Sequence, residues 1–276
     1  MKTFLRLLSF EYERFKKFFA VLIGITLASN VIGIIYESRA YVSRANNIIY
    51  ENQLTPNAYI SQFGPMSMAK FGDTLWVMGP IALCIAALLF YSFFIWYREW
   101  YGRTTFAYRL LMLPVPRIQL FLSKLTVIFL AVLALVVLQL GLLWAGNVLM
   151  DSLVPSEFFL DMNLWEIVQK NTLLPVLAPE SPLQFVIYYG LGLLFLIVLF
   201  TCILLERSYR GAGIVMAGLY GGAVSLFFIS PLFVQLFTRG WFYDSELFLM
   251  MTGLGLLIAA GSLFFSSHLL RRKITV

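Results

Sequence analysis

Apolar positions in this chain gather into six long runs, at about 18–36, 73–97, 118–150, 183–205, 211–230 and 247–268. Runs of about 18 residues or more with few charges mark helices that cross a bilayer. The pattern predicts an all-α, polytopic integral membrane protein with six transmembrane helices. A β-barrel would instead show alternating segments of about 10 residues. Ahead of the first run, Met1, Leu5, Leu8, Tyr12, Phe15 and Phe19 recur at helical spacing, while Lys2, Arg6, Ser9, Glu13 and Lys16 follow on a neighbouring face. That pattern predicts an amphipathic interfacial helix over 1–17. The first run is expected to stay as a span, because a long charged helix precedes it and no small-residue cleavage site follows.

The polar intervals fill in the rest. Residues 37–72 read as a loop with NN, TPN and GP turn signals. Pro80 lies near the start of the second span and is placed to kink it. Trp96, Tyr97, Trp100 and Tyr101 read as an interfacial aromatic belt. Residues 151–182 read as a second loop holding a short helix, with a Ser N-cap signal and Glu157 in its first turn. Phe158, Leu164, Trp165 and Val168 are placed to rest that helix on the membrane surface. Gly218 and Gly222 form a small-xxx-small pair in the fifth run, for which packing within the chain is the commoner explanation and a dimer contact the alternative. Residues 231–246 start at Pro231 and include Arg239-Gly240, which leaves a re-entrant element and an ordinary loop both open. No repeat or linker divides the chain, so 1–276 is read as a single membrane domain.

Composition agrees: 61% of residues are hydrophobic and 12% charged, against about 25% charged in a soluble domain. The formal charge of +6 suits a membrane surface and calls for no nucleic acid. Fifteen of the 20 Lys and Arg fall in 1–17, 98–124, 206–210 and 269–276. The positive-inside rule then puts both termini in the cytoplasm of a multi-pass cell-membrane protein, with a bacterial plasma membrane the best fit. Cys84 and Cys202 lie in apolar runs and predict no disulfide framework.

Sites for chemistry are few. There is no GxxxxGK[ST] phosphate loop, HExxH or GxSxG. The one histidine, His268, closes the sixth run and reads as an interfacial side chain; no metal site and no catalytic residue are predicted. The acids sit in loops or at span ends, and no span centre carries a charge. That argues against ion coupling through a midplane carboxylate. Asn30, Gln139 and Asn147 are the polar candidates within spans, either as interhelical hydrogen-bond partners or along a pathway.

One stretch stands out, Arg98–Lys124, with five cations and the single acid Glu99 between two spans. Glu99 and Arg103 are spaced for an i,i+4 pair, and Pro114-Val115-Pro116 ends any helix begun at 99. In Glu99-Trp100-Tyr101-Gly102-Arg103-Thr104, then Leu110-Leu111, Leu113-Pro114, Arg117 and Ser123-Lys124, it resembles the type-2 ABC exporter permeases. Those families carry an E-x-x-G-T-like start, L-L-x-L-P-x-x-R, and a Ser-Lys pair entering the next span. The present chain departs by placing Arg103 between Gly102 and Thr104. Six spans, inward termini and an amphipathic N-terminal helix also look like that family.

The resemblance implies a cytoplasmic coupling helix in the elbow 98–117, with Glu99, Gly102, Arg103, Thr104, Arg109, Pro114 and Arg117 contacting a separate ABC ATPase subunit. ATP and Mg would be bound by that subunit, with no cofactor in this chain. A second copy or a related permease subunit would complete a path for a hydrophobic or amphipathic cargo, such as an antimicrobial peptide, a drug or a lipid-like molecule. A basic loop held by anionic membrane lipids explains the same cations. A membrane-embedded assembly protein without transport, or an intramembrane enzyme, also stays open.

Overall fold

A computed structural model of the chain describes residues 2–100, 116–237 and 242–272, without the side chains of residues 2, 99, 100, 210, 244 and 272. The described residues form helices α1 (Lys2–Asn52), α2 (Pro56–Phe63), α3 (Met68–Gly72), α4 (Leu75–Trp100), α5 (Ile118–Leu153), α6 (Leu164–Gln169), α7 (Leu174–Leu177), α8 (Pro182–Ser208), α9 (Arg210–Phe237) and α10 (Asp244–Arg272). Six of these, α1, α4, α5, α8, α9 and α10, are long and apolar enough to cross a membrane. Extended pairing among the described residues is confined to one bridge, Met66 with Phe159. The chain is an all-α polytopic membrane protein.

The largest departure from the sequence pattern is α1. It is one helix of 51 residues, roughly 76 Å long. It takes in the predicted interfacial helix, the first span and residues 37–52, which had read as loop. Polarity hid a stripe at helical spacing, in which Ile34, Ser38 and Ala45 are all buried. No Gly or Pro interrupts residues 34–52. The helix stops where Gln53 takes a positive φ of 51°.

The chain divides into two compact units, one of residues 1–12, 89–129 and 186–276, the other of 13–88 and 130–185. The second unit has an apolar core built around Tyr59, Met68, Phe71, Leu143, Met150 and Ile167. Thr55 caps α2 by accepting from the Ala58 N–H at 3.3 Å, with Pro56 in its first turn. Met66 stitches two loops together: its N–H donates to the Phe158 carbonyl at 2.8 Å, and its carbonyl accepts from the Leu160 N–H at 2.9 Å. The expected helix of the 151–182 loop begins only at Leu164, after Asn163 rather than at a Ser cap. Phe158 and Val168 are buried in this core, with Leu164 packed against it, instead of resting on the bilayer; Trp165 remains 45% exposed. Asn171 accepts from the N–H groups of Leu173 and Leu174 at 3.2 and 3.3 Å. A Cβ on Gly72 would stand 2.5 Å from the Asn171 amide nitrogen, so any larger residue there must displace the Asn171 side chain.

Both in-helix prolines have their orphaned carbonyls satisfied. Pro80 removes the N–H that would bond the Trp76 carbonyl. The Ser29 hydroxyl of α1 donates to that carbonyl at 2.8 Å. Pro231 orphans Phe227 in the same way, and Ser230 donates to it at 2.8 Å. Helix α9 therefore continues through Pro231 to Phe237, so the first half of 231–246 is helix end rather than loop or re-entrant turn. Gln235 then clasps Phe242, donating to its carbonyl and accepting from its N–H, both at 3.0 Å.

In the first unit, hydroxyls and sulfur bind the helices: Thr201 to Ser266 at 2.9 Å, Tyr220 to Ser262 at 2.7 Å, and Cys202 Sγ to the Ala217 carbonyl at 3.5 Å. Close approach within the chain falls at Gly213, against the Glu206 backbone, and at Gly221, whose added Cβ would lie 3.4 Å from Cys202 Sγ. Among the described residues, a Cβ added at Gly218 or Gly222 would meet nothing within 4 Å, unlike the expected intrachain packing.

Candidate functional site

In the first unit, charge is concentrated on the helix ends that flank the cationic elbow. Lys124 enters with the second turn of α5 and is fully buried. None of the residues three or four positions away on its own helix (Leu120, Phe121, Val127, Ile128) is an acid. An ammonium there needs a partner from elsewhere in the fold. It finds one on α1: its Nζ donates to Glu11 Oε1 at 2.6 Å. A second donation reaches the Ile95 carbonyl at 3.4 Å, and the Trp96 ring centroid lies 5.4 Å away. Arg98 approaches the other Glu11 oxygen at 3.6 Å. One carboxylate thus stands between two cations, leaving one net positive charge.

Aromatic rings close this cluster off. Trp96, Phe121 and Phe200 meet at centroid distances of 6.2, 5.6 and 5.5 Å. Burial makes the pair asymmetric in energy. Forming it gains little net stability, because each ion loses its hydration. Removing Glu11 alone strands Lys124 and Arg98, which costs about 3–5 kcal/mol. The cluster therefore acts as a specific lock between the N-terminal helix, the end of α4 and the start of α5.

Two further clamps lie on neighbouring helix ends. The Tyr97 hydroxyl donates to Glu206 Oε2, and the Arg207 guanidinium sits 4.6 Å from the Tyr97 ring centroid. Tyr97 is thereby held at its hydroxyl by an anion and on its face by a cation. Arg117 donates to the Leu270 carbonyl near the C-terminus of α10. The last carbonyls of a helix lack intrahelical partners and carry partial negative charge, so a guanidinium suits that position.

The sequence-predicted residues fall into three groups. Gly102, Arg103, Thr104, Arg109 and Pro114 lie outside the described residues, as does the Glu99 side chain. Arg117 is placed just before α5, where it donates to the Leu270 carbonyl in the last turn of α10. Asn30 and Gln139 meet in the second unit, where the Gln139 amide donates to Asn30 Oδ1 at 3.3 Å and Asn30 donates back to the Thr26 carbonyl at 2.9 Å. Asn147 instead holds the loop after α5, donating to Asp161 at 2.7 Å and to the Met162 carbonyl at 3.3 Å. Trp96 and Tyr97 are packed and clamped, not arrayed as a lipid-facing belt.

Glu11 is the residue that sequence reasoning missed. The packed face of the N-terminal segment is Leu7, Glu11 and Phe15, whereas Leu5 and Tyr12 of the predicted apolar face are 57% and 52% exposed. The available signal was on the other side: an isolated Lys124 inside an apolar run demands a buried acid. Among the described residues, no three His, Cys, Asp or Glu side chains gather as metal ligands, and His268 is exposed on α10. The arrangement positions helices. Comparison of the chain with protein-family models, with curated proteins and with solved structures gives no match.

Proposed function

We propose that this chain is the permease subunit of an ATP-driven ABC exporter, powered by a separate ATPase subunit that docks on the elbow 98–117. The observation that carries the reading is the anchoring of both ends of that elbow. On the α4 side, Trp96, Tyr97 and Arg98 are each held; on the α5 side, Arg117 and Lys124 are each held. A segment tied this way transmits a push from a docked partner into α4 and α5 instead of absorbing it. Ser123-Lys124, the last element of the resemblance, contributes the buried cation of the lock.

The remaining parts of the reading follow from the walls. The apolar windows of α9 and α10 are only 6% and 11% buried within the chain, against 28–33% for the other four spans. A second copy or a related permease would cover part of that surface. Walls of this composition suit a hydrophobic or amphipathic cargo over a charged one. On this reading both termini and the elbow lie in the cytoplasm, which the distribution of Lys and Arg along the chain supports.

The test is capture of the tagged full chain from its native membrane. The exporter reading predicts a co-purifying ATPase subunit whose ATP hydrolysis rises with the permease bound. Glu99→Ala is expected to lower that stimulation at least tenfold while the permease stays folded and membrane-inserted. Capture with no ATPase, repeated after mild crosslinking, contradicts the reading and favours an assembly protein.

A further inference from the structure

On the second unit, one face of α1 carries two adjoining grooves that share a single cation. The first, about 410 Å³, is lined by Ile32, Ile35, Tyr36, Arg39 and Ala40. The second, about 400 Å³, is lined by Arg39, Val42, Ser43, Asn46, Asn47 and Leu153. The residues recur every three or four positions, so both grooves run along one side of the helix. The surface changes character at Arg39, with branched and aromatic side chains before it and hydroxyl and amide groups after it.

The same turn follows the end of the first apolar run, 18–36. Tyr36 and Trp76 pair there with ring centroids 5.9 Å apart, and Tyr and Trp concentrate where hydrocarbon gives way to headgroups. Among the described residues, Arg39 has no hydrogen-bond or ion-pair partner. Its guanidinium presents donors in a planar fork matched to phosphate oxygens. An apolar groove, an unpaired guanidinium at headgroup height and a row of neutral hydrogen-bonding groups together describe the chemistry of one amphiphile.

We propose that this face of α1 holds an anionic glycerophospholipid of the leaflet opposite the N-terminus, with its phosphate on Arg39. An acyl chain lies along Ile32, Ile35 and Tyr36, and the headgroup hydroxyls meet Ser43, Asn46 and Asn47. The proposal does not depend on the exporter reading.

Native mass spectrometry of the purified full chain, titrated with phosphatidylglycerol in detergent, tests this. The wild type is expected to retain one tightly held lipid. Arg39→Gln should weaken retention about fivefold, in line with the attraction of one cation to an anionic lipid surface. Ile35→Trp, which fills the apolar groove and spares the cation, should weaken it as well. Circular dichroism and thermal melting confirm that both variants remain folded. Equal retention by Arg39→Gln and wild type overturns the proposal. So does equal retention of phosphatidylcholine, displacement by inorganic phosphate at matched concentration, or a lipid-free dimer that covers the face with a second copy.

Discussion

The two units hold themselves together in opposite ways. The second is organised by an apolar core, Tyr59, Phe71, Met150 and Ile167 among its members, trimmed by ordinary caps and one stitched pair of loops. The first is organised near the elbow by a buried Glu11–Lys124 pair, a second cation and two polar clamps. Apolar packing tolerates small repacking and loses stability in proportion to the volume removed. A buried ion pair gains little when formed and loses much when half of it is deleted. A structure that must pass a rigid movement between segments benefits from the second kind of joint, because it has one arrangement and no near substitutes.

That contrast can be broken most sharply at Glu11. Replacing it with Gln strands both Lys124 and Arg98 and is expected to cost about 3–5 kcal/mol, read as loss of thermal stability in detergent micelles. Next comes Phe71, fully buried in the other unit. Phe71→Ala should cost about 3–5 kcal/mol, but with a different signature. Limited proteolysis should open residues 53–74 while helix content in the spans, read by circular dichroism, changes little.

Gly72→Ala separates crowding from cavity formation in the same unit. Its Cβ would meet the Asn171 amide at 2.5 Å. The expected cost is about 1–3 kcal/mol, and pairing it with Asn171→Ala should relieve most of the clash. Smaller again is Ser29→Ala, which leaves the Trp76 carbonyl without its donor beside Pro80. About 1–3 kcal/mol is expected if the site stays dry, with α4 melting earlier by hydrogen exchange. The smallest effect belongs to Gln139→Leu, which removes the interhelical bond to Asn30. Bonds of this kind average about 0.6 kcal/mol in a bilayer, so the unfolding midpoint should move by no more than a few degrees.

These contrasts also show what the sequence made legible. The six spans could be read because length and hydropathy alone decide them. Residues 37–52 could not, because their polar surface masked a stripe of Ile34, Ser38 and Ala45 that is decided by periodicity. Phe158 and Val168 were assigned to the membrane because the sequence does not show that loops 53–74 and 154–181 supply each other's apolar cover. Gly218 and Gly222 illustrate the converse: spacing announced a close contact, and among the α9 glycines the contact within the chain falls at Gly213 and Gly221. In the charged cluster, Lys124 was conspicuous and Glu11 was not. An acid beside Arg14 and two residues from Glu13 looks like part of a solvated face until the fold turns it inward.

The central claim is that Glu11 and Lys124 act as one unit that locks the N-terminal helix to the base of α5. A double-mutant cycle of Glu11→Gln and Lys124→Met, measured by unfolding of the full chain in detergent micelles, tests it directly. Each single variant should be strongly destabilised and the double variant should recover much of the loss. The resulting coupling energy is expected to be about 2 kcal/mol or more, within the range for residues in direct contact. Losses that add to within about 0.5 kcal/mol would contradict the lock, and with it the account of how the elbow is anchored.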